Sequence, residues 1–191
     1  GRLEQRSYTK DVNILRLRDE RIVNFLIEFG ARYDIRFDRE ELSKGISLYD
    51  QIFRECKISD LNGGMDYNNG LFLYILFSHV QPKTIIESGV WRGFTTYLID
   101  KAIPKNARIY CFDINLDRVE FKSEKASYFE QDLSLVDGVD YTEVDFAFFD
   151  DHVSIYDRLK LCLDNKIEIV VVDDDVGISQ VHSDGWPPIP T

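Results

Sequence analysis

The spacing of apolar positions changes once along this chain, near Pro82. Before it, apolar residues recur every three or four positions. Leu15, Ile22, Phe25, Leu26 and Phe29 share one stripe, which predicts a helix over Val12–Phe29 with Gly30 as its stop. Asp38 and Glu41 have the spacing of a capping box. They would open a second helix carrying Leu42, Ile46, Tyr49, Ile52 and Phe53, weakened in its middle by Gly45. A loop rich in Gly, Asn and Asp runs from Leu61 to Asn69. Asn69 or its neighbour then caps a third helix through Leu71, Phe72, Ile75, Leu76 and Val80, which Pro82 closes.

After Pro82 the apolar runs shorten and turn β-rich. Thr84–Ser88, Arg108–Phe112, Ser127–Glu130, Val144–Phe149 and Ile167–Val172 read as strands. Helical stretches separate most of them, at Thr95–Ala102, Leu116–Lys122 and Ser154–Leu163. Strands alternating with helices predict an α/β fold, a doubly wound and mostly parallel sheet covered on both faces. Residues 67–191 would form that core and residues 1–66 a helical lid or substrate wall, together one compact domain. The tail from His182 to Thr191 holds three prolines in five residues and is loop-like. Doubly wound sheets often continue past a fifth strand, so the expectation is a fragment or a missing outer strand. Gly1 in place of an initiator Met points to a processed or trimmed chain.

Charge narrows the partners. The formal net charge of −11 is unfavourable for nucleic acid, and the expected partner is a small molecule. Cys56, Cys111 and Cys162 match no zinc spacing; Cys111 and Cys162 sit in apolar patterns and read as buried reduced thiols in a cytoplasmic protein. No apolar run is long enough to span a membrane, and the first residues lack a signal-peptide core. A homodimer is compatible with the reading, but no residue argues for one.

Chemistry concentrates at the predicted strand ends. Glu87-Ser-Gly89-Val90-Trp91-Arg-Gly93 is a strand-turn-helix with glycines where a ligand could approach backbone, and Thr95 opens the next helix. Packing alone can also require such glycines. Asp113 ends the second strand, 24 residues past Gly89. That spacing is close to the roughly 20 expected for an acid that accepts ribose hydroxyls. Gln131 and Asp132 follow the third strand. Asp150-Asp151-His152 follows the fourth and Asp173-Asp174-Asp175 the fifth. Neighbouring strands lie about 4.8 Å apart, so the two acidic clusters become neighbours and need a cation or a proton between them. Oxygen ligands of this kind suit Mg²⁺ or Ca²⁺. His152 is a candidate base or substrate partner, or a structural histidine.

Together these residues resemble the class I S-adenosylmethionine-dependent methyltransferases, and more narrowly the Mg²⁺-dependent small-molecule O-methyltransferases. The likeness runs from about Asn69 to Val176. It implies that Glu87, Gly89, Val90, Trp91 and Gly93 hold the methionine part of the cofactor, with Thr95 near its carboxylate. Asp113 would take the ribose, Ile114 would pack on adenine, and Gln131 and Asp132 would read the adenine edge, with Asp150 also at the cofactor. The family's metal pairs map to Asp150 or Asp151 and to Asp174 and Asp175. Asp151 and His152 would be the catalytic pair. The chain departs from the family at Trp91, which replaces a glycine, and in lacking a lysine base near Ser154. The implied reaction is in-line transfer of a sulfonium methyl to a hydroxyl of a polyhydroxylated metabolite or sugar, with divalent-cation assistance.

Two other readings compete. A nicotinamide-dependent oxidoreductase shares the glycine turn and the strand-end acid, but Trp91 and the carboxylates would oppose a diphosphate. A methyltransferase-like module without activity would share the whole cofactor cleft.

Overall fold

The computed structural model describes residues 12–61 and 64–173. The chain divides into two compact units, Gly1–Arg54 and Glu55–Thr191. The break falls after Arg54, where the sequence reading set it after Asp66.

The first unit holds α1 (Val12–Arg32) and most of α2 (Arg39–Glu55). Leu26, Leu42, Ile46 and Tyr49 are buried, as the stripes predict, but on α1 the buried neighbour is Val23, and Phe25, expected on the stripe, is 59% exposed. Arg18 of α1 bonds Asp50 of α2 at 2.8 Å. Asp38 caps α2 by accepting the backbone N–H of Glu40 and Glu41. Gly30 does not stop α1, which runs two residues past it. Its role is steric: a Cβ there would come within 2.8 Å of the Phe37 ring.

The second unit contains α3 (Tyr67–Val80), β1 (Thr84–Ser88), α4 (Phe94–Ala102), β2 (Arg108–Phe112), β3 (Ala126–Phe129), β4 (Phe146–Phe149), α5 (Ile155–Asn165) and β5 (Ile169–Val172). The cap of α3 is Asp66, whose carboxylate accepts from Asn69 N at 2.8 Å. Asn69 itself lies inside the helix. All sheet pairings are parallel, in the order β3-β2-β1-β4-β5. The chain order therefore reverses beside β1, and the crevice at the carboxyl ends of β1 and β4 is the usual ligand position in such a sheet.

Strand alternation divides β1 between two layers. Ile86 joins Phe112, Ala147, Phe149 and Cys162 in the core beneath α5. On the opposite layer Phe77 of α3 meets Phe146 of β4, with ring centroids 4.3 Å apart. Every residue of β1 and β4 is buried. Each buried Phe adds roughly 1.5–3 kcal/mol of transfer free energy, so these two strands anchor the fold.

The helix expected over Leu116–Lys122 does not form. Val119 N bonds Leu116 O, but the N–H groups of Glu120 and Phe121 both bond the carbonyl of Arg92. Glu120 also takes the N–H and hydroxyl of Ser59 and pairs with Arg92. Donors that a helix would use internally go instead to the glycine turn. Among the described residues no helix is long and apolar enough to cross a membrane.

Candidate functional site

A cleft of about 340 Å³ opens at the carboxyl ends of β1, β2 and β4. Gly89, Trp91, Asp113, Ile114, Gln131, Asp132, Asp150, Asp151 and His152 line it, so nine sequence candidates converge. Ser88, Phe112, Asn115, Arg118 and Val153 complete the lining. Glu87, Val90, Gly93 and Thr95 do not line it.

The glycine turn is held by the chain itself. Asp113 Oδ2 accepts the N–H of Val90 at 2.8 Å and of Trp91 at 2.9 Å, and Oδ1 accepts from Asn115 N at 2.9 Å. The strand-end acid thus stitches β2 to the turn while facing the cleft. Trp91 has a φ of 50°, a left-handed conformation that these two bonds fix. Gly89 and Gly93 have φ of 92° and 87°. A Cβ on Gly89 would stand 2.5 Å from the Asp150 carbonyl carbon, and one on Gly93 would stand 2.5 Å from the Phe121 carbonyl oxygen. Both glycines therefore answer to the protein's own backbone, the packing alternative raised by the sequence.

Glu87 sits on the α4 side of β1 and is fully buried. Its Oε2 accepts from Thr96 Oγ1 at 2.7 Å and Cys111 Sγ at 3.3 Å. Its Oε1 has no partner among the described residues. Burial raises its pKa to about 7, although Thr96 and Cys111 favour the charged form. The same desolvation, with Glu87 nearby, pushes the Cys111 thiol well up. Thr96 is the hydroxyl that meets this acid, because α4 turns it toward β1; Thr95, expected near the cofactor carboxylate, is buried in α4.

A cation already stands between the carboxylates. Arg158 is 3% exposed and bonds Asp132 Oδ2 at 2.6 Å and Asp151 Oδ2 at 2.8 Å. Asp151 also accepts from the hydroxyl of Ser88 and from Val153 N. Desolvation opposes the charge on Asp132, but Arg158 and Ser134 outweigh it and hold that carboxyl at about 2. The sequence assigns Asp151 to a metal site with Asp150, Asp174 and Asp175 and Asp132 to the cofactor, and does not foresee the guanidinium that joins Asp151 to Asp132. The available signal was position: Arg158 lies four residues before buried Cys162, on the inward stripe of α5.

Two of the four expected metal ligands stand among the described residues. Asp150 and Asp151 border the cleft, and Asp173 N bonds Phe149 O, which brings the two acidic segments side by side. Asp174 and Asp175 lie outside the described residues. Among the described residues no group of three His, Cys, Asp or Glu side chains is arranged to hold a metal ion.

Apolar surface remains open at the cleft. Ile114 is 79% exposed and Trp91 36%. Arg118 lies 4.9 Å from the Trp91 ring centroid.

Comparison with known proteins places this geometry in a class. Residues 51–174 match the sequence family described as O-methyltransferase. The match covers more than half of the chain, which belongs to that family. The protein is thus a methyltransferase by class, which sets aside the nicotinamide-dependent reading. No curated protein matches. Among solved structures, a methyltransferase from Geobacter sulfurreducens is 20% identical with a TM-score of 0.47, and 76% of each chain is covered. The SAH-bound methyltransferase PaMTH1 of Podospora anserina is 14% identical with a TM-score of 0.45; 68% of this chain and 61% of that one are covered. TomG, an O-methyltransferase of Streptomyces achromogenes involved in tomaymycin synthesis and solved with SAM, is 18% identical with a TM-score of 0.48. Coverage is 91% of this chain and 80% of that one.

Proposed function

We propose that the cleft binds S-adenosylmethionine and that the chain transfers its methyl group to a hydroxyl of a small polyhydroxylated acceptor. The observation that carries this reading is the strand-end cleft of an O-methyltransferase family member, lined by four carboxylates beside an open apolar shelf. A cleft of about 340 Å³ is in the range of small-molecule sites. Ile114 offers a surface for a flat base, and Asp113 Oδ1, which accepts only from Asn115 N among the described residues, keeps a lone pair for a ribose hydroxyl. Gln131 and Asp132 stand where a base edge would be read. Asp113, Asp132, Asp150 and Asp151 favour a cation over a neutral ligand.

When bound, the cofactor supplies an electrophilic methyl on a sulfonium. The residues hold the reacting atoms in line and keep the site negative. His152 borders the cleft and is assigned the acceptor's proton. Asp151, its charge shared with Arg158, holds the turn from which His152 projects. Glu87 acts from behind β1 rather than on the cofactor.

Divalent-cation assistance belongs to the proposal through Asp150, Asp151, Asp174 and Asp175. Carboxylate oxygens suit Mg²⁺, but Asp151 is already paired with Arg158. No step above depends on the metal. Activity that survives EDTA would remove it.

Calorimetry with S-adenosylhomocysteine tests the cofactor, with micromolar affinity expected. Transfer of labelled methyl from S-adenosylmethionine to a panel of sugars and catechols tests turnover. Cofactor binding with no turnover on any acceptor would favour the inactive module. Absence of binding would end the cofactor assignment.

A further inference from the structure

Two rims of the cleft meet on one buried guanidinium. Asp132 follows β3 and Asp151 follows β4, and β2 and β1 lie between those strands. Arg158 reaches both, from a helix that precedes β5. The fork of the guanidinium makes this span possible: Nη2 bonds Asp132 while Nε bonds Asp151. Ser88, at the end of β1, adds a third strand through its hydroxyl on Asp151. The residue after Asp151 is His152, whose φ is 54°. An L residue holds that backbone conformation only where its surroundings impose it. The turn from Asp150 to Val153 is imposed through Asp150 N on the Ser88 carbonyl and through the Asp151 side chain.

We propose that Arg158 is a positioning residue that ties the Gln131–Asp132 rim to the Asp150–Val153 turn, so that contacts made at one rim set where His152 stands at the other. This rests on the methyltransferase reading for what the cleft holds; the tie itself does not. It gives the cleft one mechanical frame. A ligand edge read beside Asp132 and a proton acceptor beside Asp151 are registered to the same side chain. Lysine at this position would keep the charge but lose the fork, so one tether would go.

The test uses the His152 imidazole as a reporter in the full chain without ligand. Nitrogen-proton correlation spectra at one pH would be assigned with His152→Asn, since the chain has three histidines. The side chain of Asp132 bonds Ser134 and Arg158, so the hydrogen-bonded route from it to the His152 turn runs through Arg158. Asp132→Asn and Arg158→Lys should each move the His152 signals. Asp132→Asn should add nothing further in the Arg158→Lys background. S-adenosylhomocysteine affinity should fall roughly fivefold in each single variant, with the double variant no worse than either, the pattern of coupled sites.

His152 signals that stay in place in a folded Asp132→Asn variant would overturn the proposal, as would additive losses in the double variant. Asp132→Asn is the milder change and keeps the test open if Arg158→Lys does not fold. Failure of the parent chain to bind S-adenosylhomocysteine would defeat the cofactor reading alone, because the imidazole signals still decide the tie.

Discussion

The Cα of Gly89 lies directly against the backbone carbonyl of Asp150, leaving no room for a Cβ: one would stand 2.5 Å from the carbonyl carbon. The φ of 92° at Gly89 adds a second obstacle to any L side chain. Gly89→Ala should therefore cost about 3 kcal/mol or more in folding stability, the combined scale of backbone strain and overpacking. Urea unfolding measures it. A loss below about 1 kcal/mol would mean that β1 and β4 part easily at this end.

Asp113 serves both fold and cleft, and its removal should register in both. Asp113→Ala leaves the N–H groups of Val90 and Trp91 without their acceptor. Stability should drop by about 1–3 kcal/mol, and S-adenosylhomocysteine affinity by a similar amount. A variant with parent-like Tm and Kd would take Asp113 out of both roles.

Ile114 gives the opposite contrast. It is 79% exposed, so Ile114→Ala should leave stability within about 0.5 kcal/mol of the parent. If adenine packs there, S-adenosylhomocysteine binding should weaken by about 1 kcal/mol, the order expected for the lost apolar contact. Equal affinity in calorimetry would place the base elsewhere.

Glu87 sets a pH dependence whose sign follows from burial. Its pKa of about 7 in the folded chain stands above the ordinary 4.5, so the folded state takes up a proton that the unfolded state releases. The stabilisation this brings is full below the ordinary value and is lost as pH rises through about 7. The loss is on the order of 3 kcal/mol. Glu87→Gln should flatten the stability profile over that window and exceed the parent in stability at the alkaline end. Identical profiles for the two proteins would assign the slope to other groups.

Much of this molecule is visible in its pattern of apolar residues. All five strands overlap the short β-rich runs that predict them, and β4, buried throughout, is apolar along its whole length as a strand covered on both faces requires. The clustering of nine candidates follows from strand ends sharing one edge of the sheet. What escaped depends on tertiary partners. The Leu116–Lys122 segment has helical spacing, yet the N–H groups of Glu120 and Phe121 go to Arg92. Thr95 and Thr96 are indistinguishable until α4 is docked and turns one of them onto Glu87. Arg158 becomes a partner of Asp151 only once α5 is docked.

Trp91 stands at the cleft mouth with Arg118 and Arg92 near its ring, 4.9 and 5.9 Å from the centroid. Indole emission responds to stacking and to nearby charge, so this side chain is a native optical gauge of occupancy. The other tryptophan is Trp186, and a Trp186→Phe chain would leave Trp91 as the sole indole. Nucleoside titrations could then be followed by eye of the spectrometer alone, before any methyl acceptor has been found.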